Sequence, residues 1–260
     1  MKITVITLFP KMISGFIEES IIKRAQEKGA VEIEIVNLRD FALDDYGSVD
    51  DRPYGGGAGM VLRVEPIYEA LKKINEGTTL EHPEAFAHSR GYTVLTSPKG
   101  RVYNQKVAEE YAQKDHLIII AGHYEDVDQR VRDYIDEEVS LGDYVMTGGE
   151  ITAAAVVDSV VRLLPSVLKK EEATKVESFF EVDVRTLLEL LPNEESLQRL
   201  QQRGTEKVQL LEYPHYTRPE EFLGKKVPEI LLSGHAKNIE EWRLKMAYEE
   251  TVKKRPDLLK

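Results

Sequence analysis

Residues 140–149, SLGDYVMTGG, set small residues against bulky apolar ones. Ser140, Gly142, Gly148 and Gly149 lack bulk where Val139, Leu141, Tyr144, Val145 and Met146 supply it, which leaves main-chain groups open between apolar walls. Such a surface suits a flat ligand, and backbone N–H and C=O groups alone can read an adenine edge there. Asp143 and Glu150 add charge beside the turn. Residues 151–164 follow as an apolar helix whose only charges are Asp158 and Arg162 at i,i+4. A helix apolar nearly all round is expected to be buried, so the two charges need either a chemical role or a local ion pair.

Two other turns share this character. Residues 95–100, LTSPKG, and 121–130, AGHYEDVDQR, each close an apolar strand with small residues. Ligands of open α/β sheets bind at the carboxyl ends of strands, so Thr96, Ser97 and Pro98, with Gly122, Tyr124 and Glu125, are expected to converge with 140–149 on one pocket. Glu125 and Asp128 are the candidates for polar contacts. His123 has no second His or Cys at ligand spacing and reads as a loop histidine rather than a metal ligand.

Residues 50–60, DDRPYGGGAGM, carry four glycines in five positions and must form a loop. One reading is a flexible connection. The other starts from Arg52 and Tyr54, whose guanidinium and ring suit phosphate contact and base stacking.

Strand and helix signals that would position these turns alternate along the first two-thirds of the chain. Strands are predicted at 2–9, 31–38, 92–96 and 117–121, and helices at 11–28, 66–75, 104–113 and 128–135. This is an α/β pattern with a largely parallel sheet. No G-x-G-x-x-G or Walker motif occurs, so a nucleotide-like ligand would be held another way. Residues 169–183, KKEEATKVESFFEVD, read as a charged linker, and leucines at 187, 188, 190, 191, 197 and 200 suggest amphipathic helices interrupted at Pro192. These helices are open to packing on the pocket, a partner subunit or RNA. The expected organisation is an α/β domain at 1–168, a linker with a helical insert at 169–208, and a small helical domain at 209–260 with Trp242 and Tyr248 in its core.

At 260 residues, 42% hydrophobic and 31% charged, the chain has the composition of a soluble protein and no run long enough for a membrane span. Met1 to Phe9 precede a proline, without a small-residue cleavage site, and read as a buried strand rather than a signal peptide. Zero cysteines exclude disulfides, iron-sulfur clusters, thiolate zinc and a cysteine nucleophile, and suggest a cytoplasmic address. A net charge of −11 argues against indiscriminate nucleic-acid coating. From Glu212 onward, however, 10 bases balance 9 acids, so a local basic surface with Arg243, Lys245, Lys253, Lys254 and Arg255 remains possible there.

SLGDYVMTGGE with DSVVRLLP, VDDRPYGGGAGM and LLEYPHYTRPEEF together resemble the bacterial tRNA (guanine-N1)-methyltransferases, the TrmD family of the SPOUT class. The resemblance implies a trefoil-knotted domain in which the three turns hold bent S-adenosylmethionine, and a C-terminal domain that binds tRNA. It implies a homodimer with the active site between subunits, and methylation of guanine N1 at the guanosine 3′ of the anticodon. Asp51, Arg52, Tyr54, Gly55, Gly57, Gly59, His215 and Arg218 fall on motifs that would face the tRNA. Magnesium is implied as a further cofactor, though no ligand set is self-evident and no metal ligand is assigned.

Neutral guanine carries a proton on N1, so a base must remove it while a cation stabilises charge on O6. Arg162 matches the family's catalytic arginine. The family has aspartate before Ser-Phe, whereas here Glu177 precedes Ser178 and Phe179, and about thirty residues then separate this motif from PHYTRP. Glu177 is the expected base, with Asp183 as runner-up, against the reading of Glu177 as a solvated linker charge. Two rival classes stay open: a knotted methyltransferase of ribosomal RNA, and an RNA-binding module without turnover.

Overall fold

The computed structural model describes residues 1–75, 91–168 and 177–260. The chain forms two compact units, Met1–Lys169 and Lys170–Lys260.

In the first unit, five strands form one sheet: β1 (Lys2–Thr7), β2 (Glu32–Asn37), β5 (Tyr92–Val102), β6 (His116–Ile120) and β8 (Glu137–Ser140). Their order is β2-β1-β6-β5-β8, and every pairing is parallel. Parallel strands covered on both faces need apolar or β-branched residues throughout, and KITVIT and HLIII supply them. On one face Ile3, Val5, Leu117 and Ile119 pack with the helices Pro10–Ile17 and Glu150–Val161. On the other, Ile6, Ile118 and Ile120 pack with Ile67, Ala70 and Leu71 of the helix Val64–Ile74. The helix Gln105–Ala112 is capped by Asn104, whose Oδ1 accepts from Val107 N at 3.2 Å. A small sheet of β3 (Asp50–Asp51), β4 (Val61–Leu62) and β7 (Asp126–Val127) frames the glycine loop.

Three expectations change. The single helix at 11–28 is two, Pro10–Ile17 and Ser20–Glu27, divided where Ser20 takes a positive φ of 52°. The helix at 128–135 is a 3₁₀ segment, Gln129–Tyr134, started by Asp128 Oδ1 accepting from Arg130 N. The helix after the third turn is buried along one side only: Val156, Val157, Val160 and Val161 are inside, while Ile151 and Asp158 are exposed and Arg162 is half-buried. Alanines at 153–155 leave that helix nearly without amphipathic contrast, which is why its outer side was not visible.

The second unit pairs β9 (Phe180–Asp183) antiparallel with β10 (Lys207–Leu210). Between them lie the helices Val184–Leu190 and Glu195–Gln202, and the long helix Ala236–Lys254 follows. Leu187, Leu197, Leu200, Val208 and Leu210 share a core with Ala247 and Tyr248. The stretch expected to be a linker insert is therefore part of this unit's core from Phe180 onward; residues 169–176 lie outside the described residues. Trp242 is half-buried rather than in the core, on the long helix Ala236–Lys254.

Candidate functional site

β6, β5 and β8 are neighbours, so the turns after β6 and β8 come beside residues 96–98, which lie within β5 where its pairing with β8 shifts register, and not at a strand end as expected. They enclose a cavity lined by Thr96, Ser97 and Pro98; by Gly122, Tyr124 and Glu125; and by Ser140, Leu141, Gly142, Tyr144, Val145, Met146, Gly148 and Gly149. Asp143 stands outside this lining and is exposed. His123, Asp126, Val139, Thr147 and Thr152 also face the cavity. Thr147 could have been read from its place between Met146 and Gly148, but nothing local singles out Thr152.

The floor is held by hydrogen bonds across the three segments. Thr96 Oγ1 donates to Ile120 O at 3.2 Å and accepts from Gly122 N at 2.9 Å, while Gly149 N donates to Gly122 O at 2.7 Å. A Cβ on Gly149 would fall 1.8 Å from Thr96 Oγ1, and one on Gly122 would fall 2.8 Å from Thr96 O. These glycines are required by close approach, leaving backbone where another residue would place a side chain. Gly142 has φ of +155°, and its N–H donates to Ser140 Oγ at 3.2 Å.

Asp126 borders this cavity and also a groove beside the glycine loop. Burial pushes its carboxyl up, but the 2.6 Å hydrogen bond from Lys99 and the neighbouring Arg132 outweigh that and hold it below the usual carboxylate range. The groove is lined by Asp51, Arg52, Tyr54, Arg63, Asp128 and Arg130, among others. Asp128 is likewise lowered, chiefly by hydrogen bonds from Arg130. Gly55, Gly56, Gly57 and Gly59 all have positive φ, and Tyr54 beside them is fully exposed. Glu125 N donates to Met60 O at 3.1 Å, so the loop's end is fastened to the cavity rim.

In the second unit, Glu177 is half-buried and Asp183 is exposed at the end of β9. His215 and Arg218 are exposed, with His215 Nε2 3.0 Å from Glu212 Oε1. The His215 ring lies 4.7 Å from that of Tyr213, over which Arg243 is placed at 4.9 Å. An aromatic pair with a guanidinium on its face offers stacking surface for a base.

The whole chain, residues 1–260, matches the family model described as tRNA (Guanine-1)-methyltransferase TrmD. Two relatives named tRNA (guanine-N(1)-)-methyltransferase are each 46% identical. The one from Carboxydothermus hydrogenoformans aligns over 100% of this chain and 88% of its own. The one from Anoxybacillus flavithermus aligns over 100% and 91%. A crystal structure of tRNA (m1G37) methyltransferase from Aquifex aeolicus superposes with a TM-score of 0.70 at 40% identity, covering 100% of this chain and 94% of that one. With that coverage and identity, the chain belongs to the tRNA (guanine-1)-methyltransferase TrmD family.

Proposed function

We propose that this protein binds S-adenosylmethionine in the cavity beyond β5, β6 and β8 and methylates N1 of the guanosine 3′ to the anticodon of tRNA. The observation that carries the reading is the bare backbone at Gly122, Gly148 and Gly149, flanked by Leu141, Val145 and Met146, which suits an adenine edge. The cavity is about 110 Å³, smaller than the roughly 300 Å³ at which ligand pockets usually begin. When bound, S-adenosylmethionine supplies an electrophilic methyl group.

Arg162 stabilises charge on O6 and Glu177 accepts the N1 proton, a contribution on the order of 10²–10⁴ in rate for a general base. Asp183 is the second candidate for that role. Arg52 and Tyr54 in the glycine loop, with His215 and Arg218 in the second unit, contact the tRNA. Among the described residues no three His, Asp or Glu side chains are grouped to hold a metal ion, so no magnesium ligand is assigned.

The functional form we propose is a cytoplasmic homodimer around a trefoil-knotted first unit. Supporting the dimer, Val145 at 88% and Ile151 at 57% are apolar and exposed. No helix among the described residues is long and apolar enough to cross a membrane. Sedimentation should show a species of twice the chain's 29.6 kDa. Activity regained on mixing Arg162→Ala with Glu177→Gln would show that each site uses both chains.

The deciding experiment supplies bulk tRNA and labelled S-adenosylmethionine and identifies the modified nucleoside. 1-Methylguanosine next to the anticodon is expected. Label found only in ribosomal RNA, or RNA binding without methyl transfer, would move the protein to one of the two rival classes.

A further inference from the structure

Glu150 opens the helix Glu150–Val161 and is 1% exposed. Its Oε1 accepts a 2.8 Å hydrogen bond from Thr7 Oγ1 at the end of β1, and Thr7 Oγ1 accepts from Phe9 N at 2.9 Å. Its Oε2 has no hydrogen-bond partner among the described residues. That oxygen lies 3.7 Å from His123 Nδ1, which is also without a hydrogen bond. The two atoms close on Gly148, where a Cβ would fall 2.4 Å from Glu150 Oε2 and 2.3 Å from His123 Nδ1. His123 and Gly148 are joined by an isolated antiparallel bridge, and the His123 ring is held 4.8 Å from that of Phe9. Leaving a buried carboxylate oxygen without a donor is unfavourable. The two atoms fill the space a side chain at position 148 would need, on the cavity wall.

We infer that Glu150 is a positioning residue for the cofactor turn. Anchored through Thr7 and opposed by His123, it sets the placement of the Gly148 and Gly149 backbone that reads the ligand. This inference rests on the proposed cofactor reading of the cavity.

The test compares Glu150→Ala, Glu150→Gln, Thr7→Val, the double variant Thr7→Val/Glu150→Ala, and Gly142→Leu. S-adenosylmethionine affinity is measured by titration calorimetry, KM for cofactor and for tRNA by steady-state kinetics, and the thermal midpoint by calorimetry. Glu150→Ala should weaken the cofactor about tenfold in both Kd and KM, while KM for tRNA changes less than about twofold. Glu150→Gln, which keeps shape and the Thr7 contact, should restore most of the affinity. Thr7→Val should act in the same direction, and the double variant should be no worse than Glu150→Ala because both act through one link. A lowered thermal midpoint with unchanged cofactor affinity would overturn the inference, as would additive losses in the double variant. Loss of binding in Gly142→Leu but not in Glu150→Ala would leave the cavity assignment standing and remove the role of Glu150. A wild-type protein that does not bind S-adenosylmethionine would overturn both.

Discussion

Two glycine-rich regions of the first unit use the same residue for opposite reasons. At Gly148 and Gly149 the backbone φ is ordinary for any residue, but neighbouring atoms occupy the space a side chain needs. At Gly55 and Gly56 the space is open, with nothing within 4 Å of an added Cβ, and it is the positive φ that other residues resist. The wall at 148–149 is a packing problem and the loop at 55–56 a conformational one. Substitution should therefore strike different ligands with different force.

The largest effect is expected from Gly149→Ala. Overpacking against Thr96 and the Gly122 backbone should cost about 1–3 kcal/mol of stability and remove detectable S-adenosylmethionine binding in calorimetry. Normal affinity in this variant would break the contrast, since it would show the wall to be as yielding as the loop. Next comes Gly55→Ala, where the left-handed backbone costs roughly 1–2 kcal/mol. It should raise KM for tRNA severalfold and leave cofactor binding untouched; the reverse pattern would mean that the loop serves the cavity. Arg52→Ala sharpens the same side. It should weaken tRNA and lower the slope of log affinity against log salt by about one, as expected for one lost phosphate contact.

The smallest effect concerns another glycine of the packed kind, Gly91, where a Cβ would fall 2.8 Å from the His116 ring. Burial lowers the His116 pKa, with the nearby Lys2 charge adding to it, and its Nε2 lies 2.9 Å from Thr4 Oγ1. The unfolded chain then binds more protons than the folded one just below the ordinary histidine value of about 6.5. Stability is complete above that value and declines as pH falls from it toward the lowered folded value. The thermal midpoint should drop by a few degrees between pH 7 and pH 5, and His116→Gln should flatten that slope. A slope identical in the variant would assign the loss to other groups.

Much of the cavity could be read from sequence because its parts are local. Each of its three segments follows a short apolar stretch with small residues, and a parallel sheet lines such stretches up without further information, although β5 runs on past its small residues to Val102. Glu150 shows where that reasoning stops. Its neighbours mark it only as a charge beside a turn, while its burial depends on Thr7, 143 positions earlier. Asp158 fails for a related reason: a helix rich in alanine and valine says little about which side faces the core. In the second unit the leucines were visible, but their partners Ala247 and Tyr248 lie some fifty residues on, so a shared core looked like an insert.

The strand order also dictates a timetable. β1 takes its place between β2 and β6, pairing Lys2 with Glu32 on one side and with His116 on the other. A ribosome adding roughly 5–20 residues per second delivers the first partner within seconds, but His116 only on the order of ten seconds after Lys2. During that interval one edge of β1, with its run of valine and isoleucine, has no native neighbour. The nascent chain thus carries an unguarded sheet edge early in its synthesis, and slowing translation between codons 40 and 115 should increase its dependence on chaperones.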